Sequence, residues 1–239
     1  MTLRKLIAAL VAAVAISLML DSGQQAGAQS REVRPDPLNA KIGHENRHMI
    51  PSSNAAIVTE SGPVKGFQFA GDEQAENNEE VFLGIPYAAP PVGDLRWMPP
   101  QRPAKFRGVF QANAYGNSCT QPEGQGGTLG AEDCLTLNVF APLARKNQYK
   151  DSRLPVMVWI HGGGLVTGGS FFYDPRPLVL NGNLIVVTIN YRLGFLGFFA
   201  QSAIDAEYHP NCNYGLMDQQ FALSGYSEIS VPSGAIPIE

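Results

Sequence analysis

A chain of 239 residues, 44% of them hydrophobic and with a formal net charge of −4, has the composition of a globular protein rather than a disordered or fibrous one. The mild acidity, without a basic stripe or aromatic–basic interleaving, excludes a protein built to neutralise nucleic-acid phosphates. The length admits one large domain or two small ones.

The first 28 residues read as a targeting segment. Arg4 and Lys5 precede an apolar run from Leu6 to Leu20, shorter than the ~20 residues of a membrane span. Ala26-Gly27-Ala28 then offers a small-residue cleavage site before Gln29. The expectation is a cleaved signal peptide, removed after Ala28, and a secreted or periplasmic protein with no stable membrane span. Residues 29–54 are polar and aperiodic and read as a mobile leader. Within it, His44-Glu45-Asn46-Arg47-His48 matches the zinc-protease pattern His-Glu-x-x-His. That pattern needs a packed helix, whereas Gly43 precedes it, Pro51 follows, and no apolar period surrounds it. It is read as solvated leader, so no metal is expected.

Residues 55–70 have the pattern of a hairpin with a turn at Ser61-Gly62-Pro63. The acidic segment 71–80 reads as an exposed tip. Val81 to Pro103 is so rich in proline that it is expected to lie on the core as an irregular strap. Cys134 to Phe140 alternates and is rich in β-formers, which predicts a strand. In an oxidising compartment the three cysteines, Cys119, Cys134 and Cys212, allow one disulfide. The short Gly-rich loop favours Cys119 with Cys134, leaving Cys212 over; other pairings stay open.

After a charged loop over 146–153, Val156 to Ile160 is apolar on both faces, as in a strand buried within a covered sheet. It ends in His161-Gly162-Gly163-Gly164. A phosphate cradle would need a lysine that is not there, and a dinucleotide turn would need glycine where Thr167 stands. The pattern fits an oxyanion loop, in which backbone N–H groups face a developing negative charge; a plain glycine turn is the alternative. Asn181-Gly182 reads as a turn before a second buried strand, Leu184 to Asn190. Apolar strands separated by long connections imply a mixed, largely parallel sheet. Gly215 to Leu223 has helical spacing, with Leu216, Gln220 and Leu223 along one side, and no helical period continues beyond Leu223.

Five segments in this order, FLGIPYAAPPVGDLRW (83–97), EDCLTLNVF (132–140), VMVWIHGGG (156–164), INYRLGFLGF (189–198) and NYGLMDQQFAL (213–223), resemble the amino-terminal part of a type-B carboxylesterase. That is the cholinesterase and carboxylesterase branch of the α/β-hydrolases. The resemblance implies an α/β-hydrolase fold over 55–223, incomplete and with a mixed, mostly parallel sheet, and a tail over 224–239 that does not resemble the family. It implies hydrolysis of a small carboxylic ester through a serine acyl-enzyme, with neither metal nor organic cofactor. It makes Gly163 and Gly164 the oxyanion donors, pairs Cys119 with Cys134, and places Arg96 with Glu132 and Arg192 with Asp218 in buried ion pairs.

Departures limit this reading. Leu165 stands where the family commonly has an aromatic residue, and the Cys119–Cys134 loop lacks the tryptophan that binds choline, which favours a general carboxylesterase. The nearest imitation of a Gly-x-Ser-x-Gly elbow, Gly225-Tyr226-Ser227-Glu228-Ile229, lacks the last glycine and a preceding buried strand. None of His44, His48, His161 and His209 is placed to serve as the base. The chain is therefore expected to be inactive as it stands, a truncated or frameshifted product, the alternative being a cholinesterase-like binding module. The strand Leu184–Asn190 is expected to belong inside a large sheet whose later strands are absent, and an apolar strand left at an edge invites aggregation.

Overall fold

The computed structural model describes residues 49–52, 55–69, 79–124, 126–142, 154–201 and 212–230. The targeting segment, the leader through His48, most of the acidic tip, the charged loop, His209 and residues 231–239 lie outside the described residues.

The strands are β1 (Met49–Pro51), β2 (Ile57–Thr59), β3 (Gly62–Lys65), β4 (Phe67–Phe69), β5 (Glu79–Pro86) and β6 (Phe110–Gln111). They continue with β7 (Gln121–Glu123), β8 (Gly127–Leu129), β9 (Thr136–Pro142), β10 (Val156–Ile160) and β11 (Ile185–Ile189). The helices are α1 (Arg176–Gly182), α2 (Gly194–Phe198) and α3 (Tyr214–Ser230), with a 3-10 turn at Gly93–Leu95. Six strands form the main sheet in the order β1-β4-β5-β9-β11-β10; β2, β3 and β6 form a small sheet, and β7 and β8 a hairpin.

The centre of the main sheet follows from its sequence. β11 is a run of β-branched residues, all buried, paired antiparallel to β9 and parallel to β10. Ile185, Val187 and Ile189 face one core with Phe82, Leu137 and Val139, while Val186 faces the other with Val81, Leu83, Phe140 and Val179 of α1. Filling both faces removes the polar alternation that a half-solvated strand shows. Each such side chain contributes about 1.5–3 kcal/mol on burial. β5 carries a register shift against β9 between Phe82 and Ile85. Gly84 sits there at φ +65°, where a Cβ would lie 2.4 Å from the Ala114 carbonyl oxygen. Its N–H donates to Asn138 Oδ1 at 2.8 Å, so the bulge is satisfied by a side chain.

Several expectations are corrected by this architecture. The sheet is mixed, but among the described residues β10–β11 is its one parallel pair. Long connections permit a crossover without requiring one, and only the passage through α1 links adjacent parallel strands. Val81 to Pro86 is not part of a strap but the core of β5, because its single proline closes the strand. Glu79 and Glu80, assigned to the exposed tip, begin that strand and are buried. The hairpin over 55–70 is real for β2 and β3, but its second arm divides at Gly66, and β4 joins the main sheet instead. Asn181 and Gly182 end α1 rather than form a hairpin turn; Asn183 takes the left-handed conformation, φ 48°.

The two apolar strands exchange roles. β11 is internal, whereas β10 is the edge of the sheet among the described residues, with Met157 41% and Trp159 38% exposed on one face. Periodicity reports how apolar a strand is, not which strand has two neighbours. α3 runs on to Ser230, beyond the point where its apolar period fades. Ser224 adapts to it by donating its hydroxyl to the Phe221 carbonyl at 2.8 Å. Its inward face is Tyr214, Gly215, Asp218 and Ala222, while Leu216, Gln220 and Leu223 face outward. Asp218 is buried, as the resemblance implies, and the side marked by Leu216, Gln220 and Leu223 is the exposed one.

Candidate functional site

Because β10 and β11 are parallel, their carboxyl ends open on the same edge of the sheet, where open α/β sheets carry their sites. β9 begins at that edge, and the Asn190 N–H donates to the Thr136 carbonyl at 3.0 Å. The loop after β10, the segment after β11 and the disulfide loop before β9 therefore converge.

The glycine loop turns through left-handed backbone. Gly163 has φ +124°, and a Cβ there would lie 1.9 Å from the Thr167 carbonyl oxygen. Gly164 follows at φ +62° and Leu165 at φ 62°, an uncommon conformation for a bulky residue. The Gly163 carbonyl turns back to accept the Val166 and Thr167 N–H groups, each at 3.1 Å. Among the described residues, no acceptor engages the N–H of Gly163 or Gly164. Gly164 lines a largely apolar cavity of about 730 Å³ with Leu165, Val166, Leu193 and Phe195, and Thr120 and Gln121 stand at its disulfide-loop wall.

Three contacts hold this loop. The Gln121 side chain donates Nε2–H to the Gly168 carbonyl at 2.8 Å and accepts the Gly168 N–H on Oε1 at 2.9 Å. Ser170 N–H donates to Asn190 Oδ1 at 2.8 Å. Gly194 N–H donates to the Leu165 carbonyl at 2.8 Å. Behind them, Asn138 Nδ2 donates to Ser170 Oγ and Thr188 Oγ1, at 3.0 and 2.9 Å. Asn190 Nδ2 donates to the Asn117 carbonyl at 2.9 Å. A buried network this well satisfied fixes one arrangement of the loop.

His161 is buried below the loop, its ring stacked on Tyr191 with centroids 4.5 Å apart. The Tyr191 hydroxyl donates to the His161 carbonyl at 2.9 Å. Nδ1 lies 3.0 Å from the Gly162 carbonyl, and Nε2 is buried without a hydrogen-bond partner among the described residues. Burial holds the imidazole pKa below its ordinary value. A neutral ring packed in this way supports the loop and does not face the cavity chemistry as a base.

Cys119 and Cys134 form a disulfide, with Cα atoms 5.0 Å apart, and Cys212 is free and exposed. Arg192 and Asp218 pair in the interior, at 3% and 0% side-chain exposure. Arg96 and Glu132 also pair, through Nε–Oε2 at 2.5 Å and Nη2–Oε1 at 2.7 Å. Their side chains are 39% and 26% exposed, so the expectation of burial is corrected for this pair. Such a pair contributes roughly 0–1 kcal/mol. Ser227 lies inside helix α3, not at a strand-to-helix elbow. The His-Glu-x-x-His pattern at His44 and His48 is outside the described residues.

Sequence reading had missed Gln121, Tyr191 and the Asn138–Asn190 network. A signal for the last was present: Asn138 and Asn190 are polar residues in or closing strands that are otherwise apolar. Gln121 carried no such signal, since its loop is polar throughout.

The family model of the carboxylesterase family matches residues 53–224. The chain is 41% identical over 186 residues to the precursor of a medium-chain fatty acyl-CoA hydrolase of Anas platyrhynchos, covering 72% of this chain and 32% of that protein. It is 41% identical over 187 residues to carboxylesterase 1D of Rattus norvegicus, with the same coverage of 72% and 32%. Among solved structures it is similar to a PNB esterase, at TM-score 0.61 and 39% identity, covering 74% of this chain and 35% of that one. A carboxylesterase of Geobacillus stearothermophilus gives TM-score 0.61 and 33% identity, covering 77% and 36%. The chain thus spans about a third of the length of the relatives it matches.

Proposed function

The chain belongs to the carboxylesterase family, and from that premise we propose that it supplies the oxyanion-binding part of a carboxylic ester hydrolase. The observation that carries this reading is the pair of adjacent N–H groups, Gly163 and Gly164, without acceptors among the described residues at the carboxyl end of β10, where Gly164 lines a largely apolar cavity. In ester hydrolysis a nucleophile attacks the carbonyl carbon, and the carbonyl oxygen becomes an oxyanion. Fixed N–H donors stabilise it without reorganising, and removing one such donor typically lowers kcat by about 10²–10³.

The nucleophile, its base and the orienting carboxylate are not among these 239 residues on this reading. Ser227 within α3 and the packed, neutral His161 support that view. An oxyanion site without an activated nucleophile cannot begin the reaction, so these residues alone are inactive. The substrate class is a small carboxylic ester, and among the described residues no charged side chain lines the cavity to select for an ionic one. Export is part of the proposal: Arg4, Lys5 and the apolar run to Leu20 support a cleaved signal peptide, and the disulfide suits an oxidising compartment.

The test is to treat the purified 239-residue chain with short-chain p-nitrophenyl esters and with a fluorophosphonate that labels activated serines. Neither a burst nor a labelled serine is expected. A labelled serine would reveal a nucleophile within these residues and overturn the inactivity. Appended to a polypeptide that carries a Gly-x-Ser-x-Gly elbow, the chain should support turnover that Gly163→Ala abolishes; turnover indifferent to that change would sink the oxyanion role.

A further inference from the structure

The loop that bears Gly163 and Gly164 has no regular secondary structure, yet donors for an oxyanion must be held within about 0.5 Å of their working positions. Among the contacts that hold this one is a side chain from the first residue of β7, within the disulfide loop. The Gln121 carboxamide meets the backbone of Gly168 with both its ends: Nε2 on the carbonyl, Oε1 on the N–H. It imitates a neighbouring strand where no strand is present. The same Nε2 donates to the Cys119 carbonyl at 3.0 Å, and the side chain is buried. Two carbonyls on the nitrogen and one N–H on the oxygen leave a single orientation of the amide that satisfies all three contacts.

Gly168 cannot provide this anchorage by packing. It sits at φ +126°, and a Cβ there would lie 2.3 Å from His161 Nδ1 and 2.5 Å from the Gly162 carbonyl oxygen. Its backbone therefore lies directly against His161 and Gly162, the residues that lead into the donor pair. Displacing Gly168 displaces them. The clamp also originates two residues from Cys119, so the disulfide holds the base from which Gln121 reaches.

We propose that Gln121 is a positioning residue, which sets the oxyanion loop by pairing with Gly168 and so couples the disulfide loop to the Gly163–Gly164 donors. This rests on the ester-hydrolase reading of those donors, but the coupling is tested without catalysis. In the full 239-residue chain, in dilute solution, amide hydrogen exchange should find the Gly168 N–H protected and the Gly164 N–H free. Gln121→Met, close in size but without an amide, should raise Gly168 exchange roughly tenfold or more. It should leave β9 and β11 unchanged, and it should move the Gly163 and Gly164 amide resonances. Gln121→Glu, which keeps the acceptor and loses the donor, should move the same resonances, and it decides the matter if the methionine variant does not fold. Gly168 exchanging as fast as Gly164 in the unaltered chain would overturn the proposal. So would equal acceleration of β9 and β11, which marks a loss of general stability, or unmoved Gly163 and Gly164 resonances. These readouts follow loop geometry alone, so the ester reading can fail in its own assay while the clamp stands.

Discussion

Arg192 and Asp218 join the end of β11 to α3 through three hydrogen bonds: Nε to Oδ2 at 2.8 Å, Nη2 to Oδ1 at 2.7 Å, and the Arg192 N–H to Oδ2 at 3.0 Å. Arg192 Nη1 donates further to the Met98 carbonyl at 2.8 Å, so one guanidinium binds β11, α3 and the proline-rich segment together. Burial raises the pKa of the Asp218 carboxyl, while Arg192 pulls it back.

Removing one partner strands the other charge in the interior. Arg192→Met and Asp218→Leu are each expected to cost about 3–5 kcal/mol. The double variant Arg192→Met/Asp218→Leu should cost less than the sum of the singles. Urea unfolding of the four species, read as a double-mutant cycle, measures this; strict additivity would mean that the pair is not coupled.

His161 makes stability depend on pH in a definite direction. Its folded pKa is lowered by burial, so folding favours the neutral ring. The native state then binds fewer protons than the unfolded one, whose histidine titrates near about 6.5. The stability it contributes is fully present above that value and is lost as pH falls through the folded pKa. The thermal midpoint should drop from neutral pH toward pH 5, and His161→Asn should flatten that slope even if it lowers the midpoint throughout. An unchanged slope would assign the effect to other groups.

The two donor glycines should differ sharply when given a methyl group. Gly163→Ala drives a Cβ into the Thr167 carbonyl, so it should displace the loop and destabilise the protein by several kcal/mol. At Gly164 nothing lies within 4 Å of the added carbon, and the left-handed backbone alone costs roughly 1–2 kcal/mol. Denaturant midpoints of the two variants compare them directly. Equal losses would mean that the loop relaxes around either side chain.

The disulfide closes a loop with a sequence separation of 15. In the chain-entropy model, opening it by Cys119→Ala/Cys134→Ala should cost about 3 kcal/mol. Because both cysteines are buried, mild reductant should leave the native protein oxidised until it is warmed toward its transition. Rapid reduction in native buffer would show that the loop opens on its own.

Much of the fold was legible in the chain. Apolar runs located β9, β10 and β11, and the glycines after His161 marked a tight turn, because these features depend on side chains and backbone freedom within a few residues. The ordered segments from 83–97 to 213–223 identified the family for the same reason. The clamp made by Gln121 could not be read in this way: a glutamine in a polar loop looks the same whether it faces solvent or the backbone of Gly168.

Local chemistry, then, was enough to say that strands lie near 134–140, 156–160 and 184–190 and that a tight glycine turn follows His161. Tertiary structure alone decided that β11 is internal and β10 at the edge, and that Val81–Pro86 pairs as a strand. It also decided that Leu216 and Leu223 face out, whereas the buried Asp218 was already implied by the resemblance as the partner of Arg192. Those choices depend on partners far along the chain. A buried carboxylate is unfavourable until Arg192 meets it, and an apolar strand has no preference between centre and edge until its neighbours are counted.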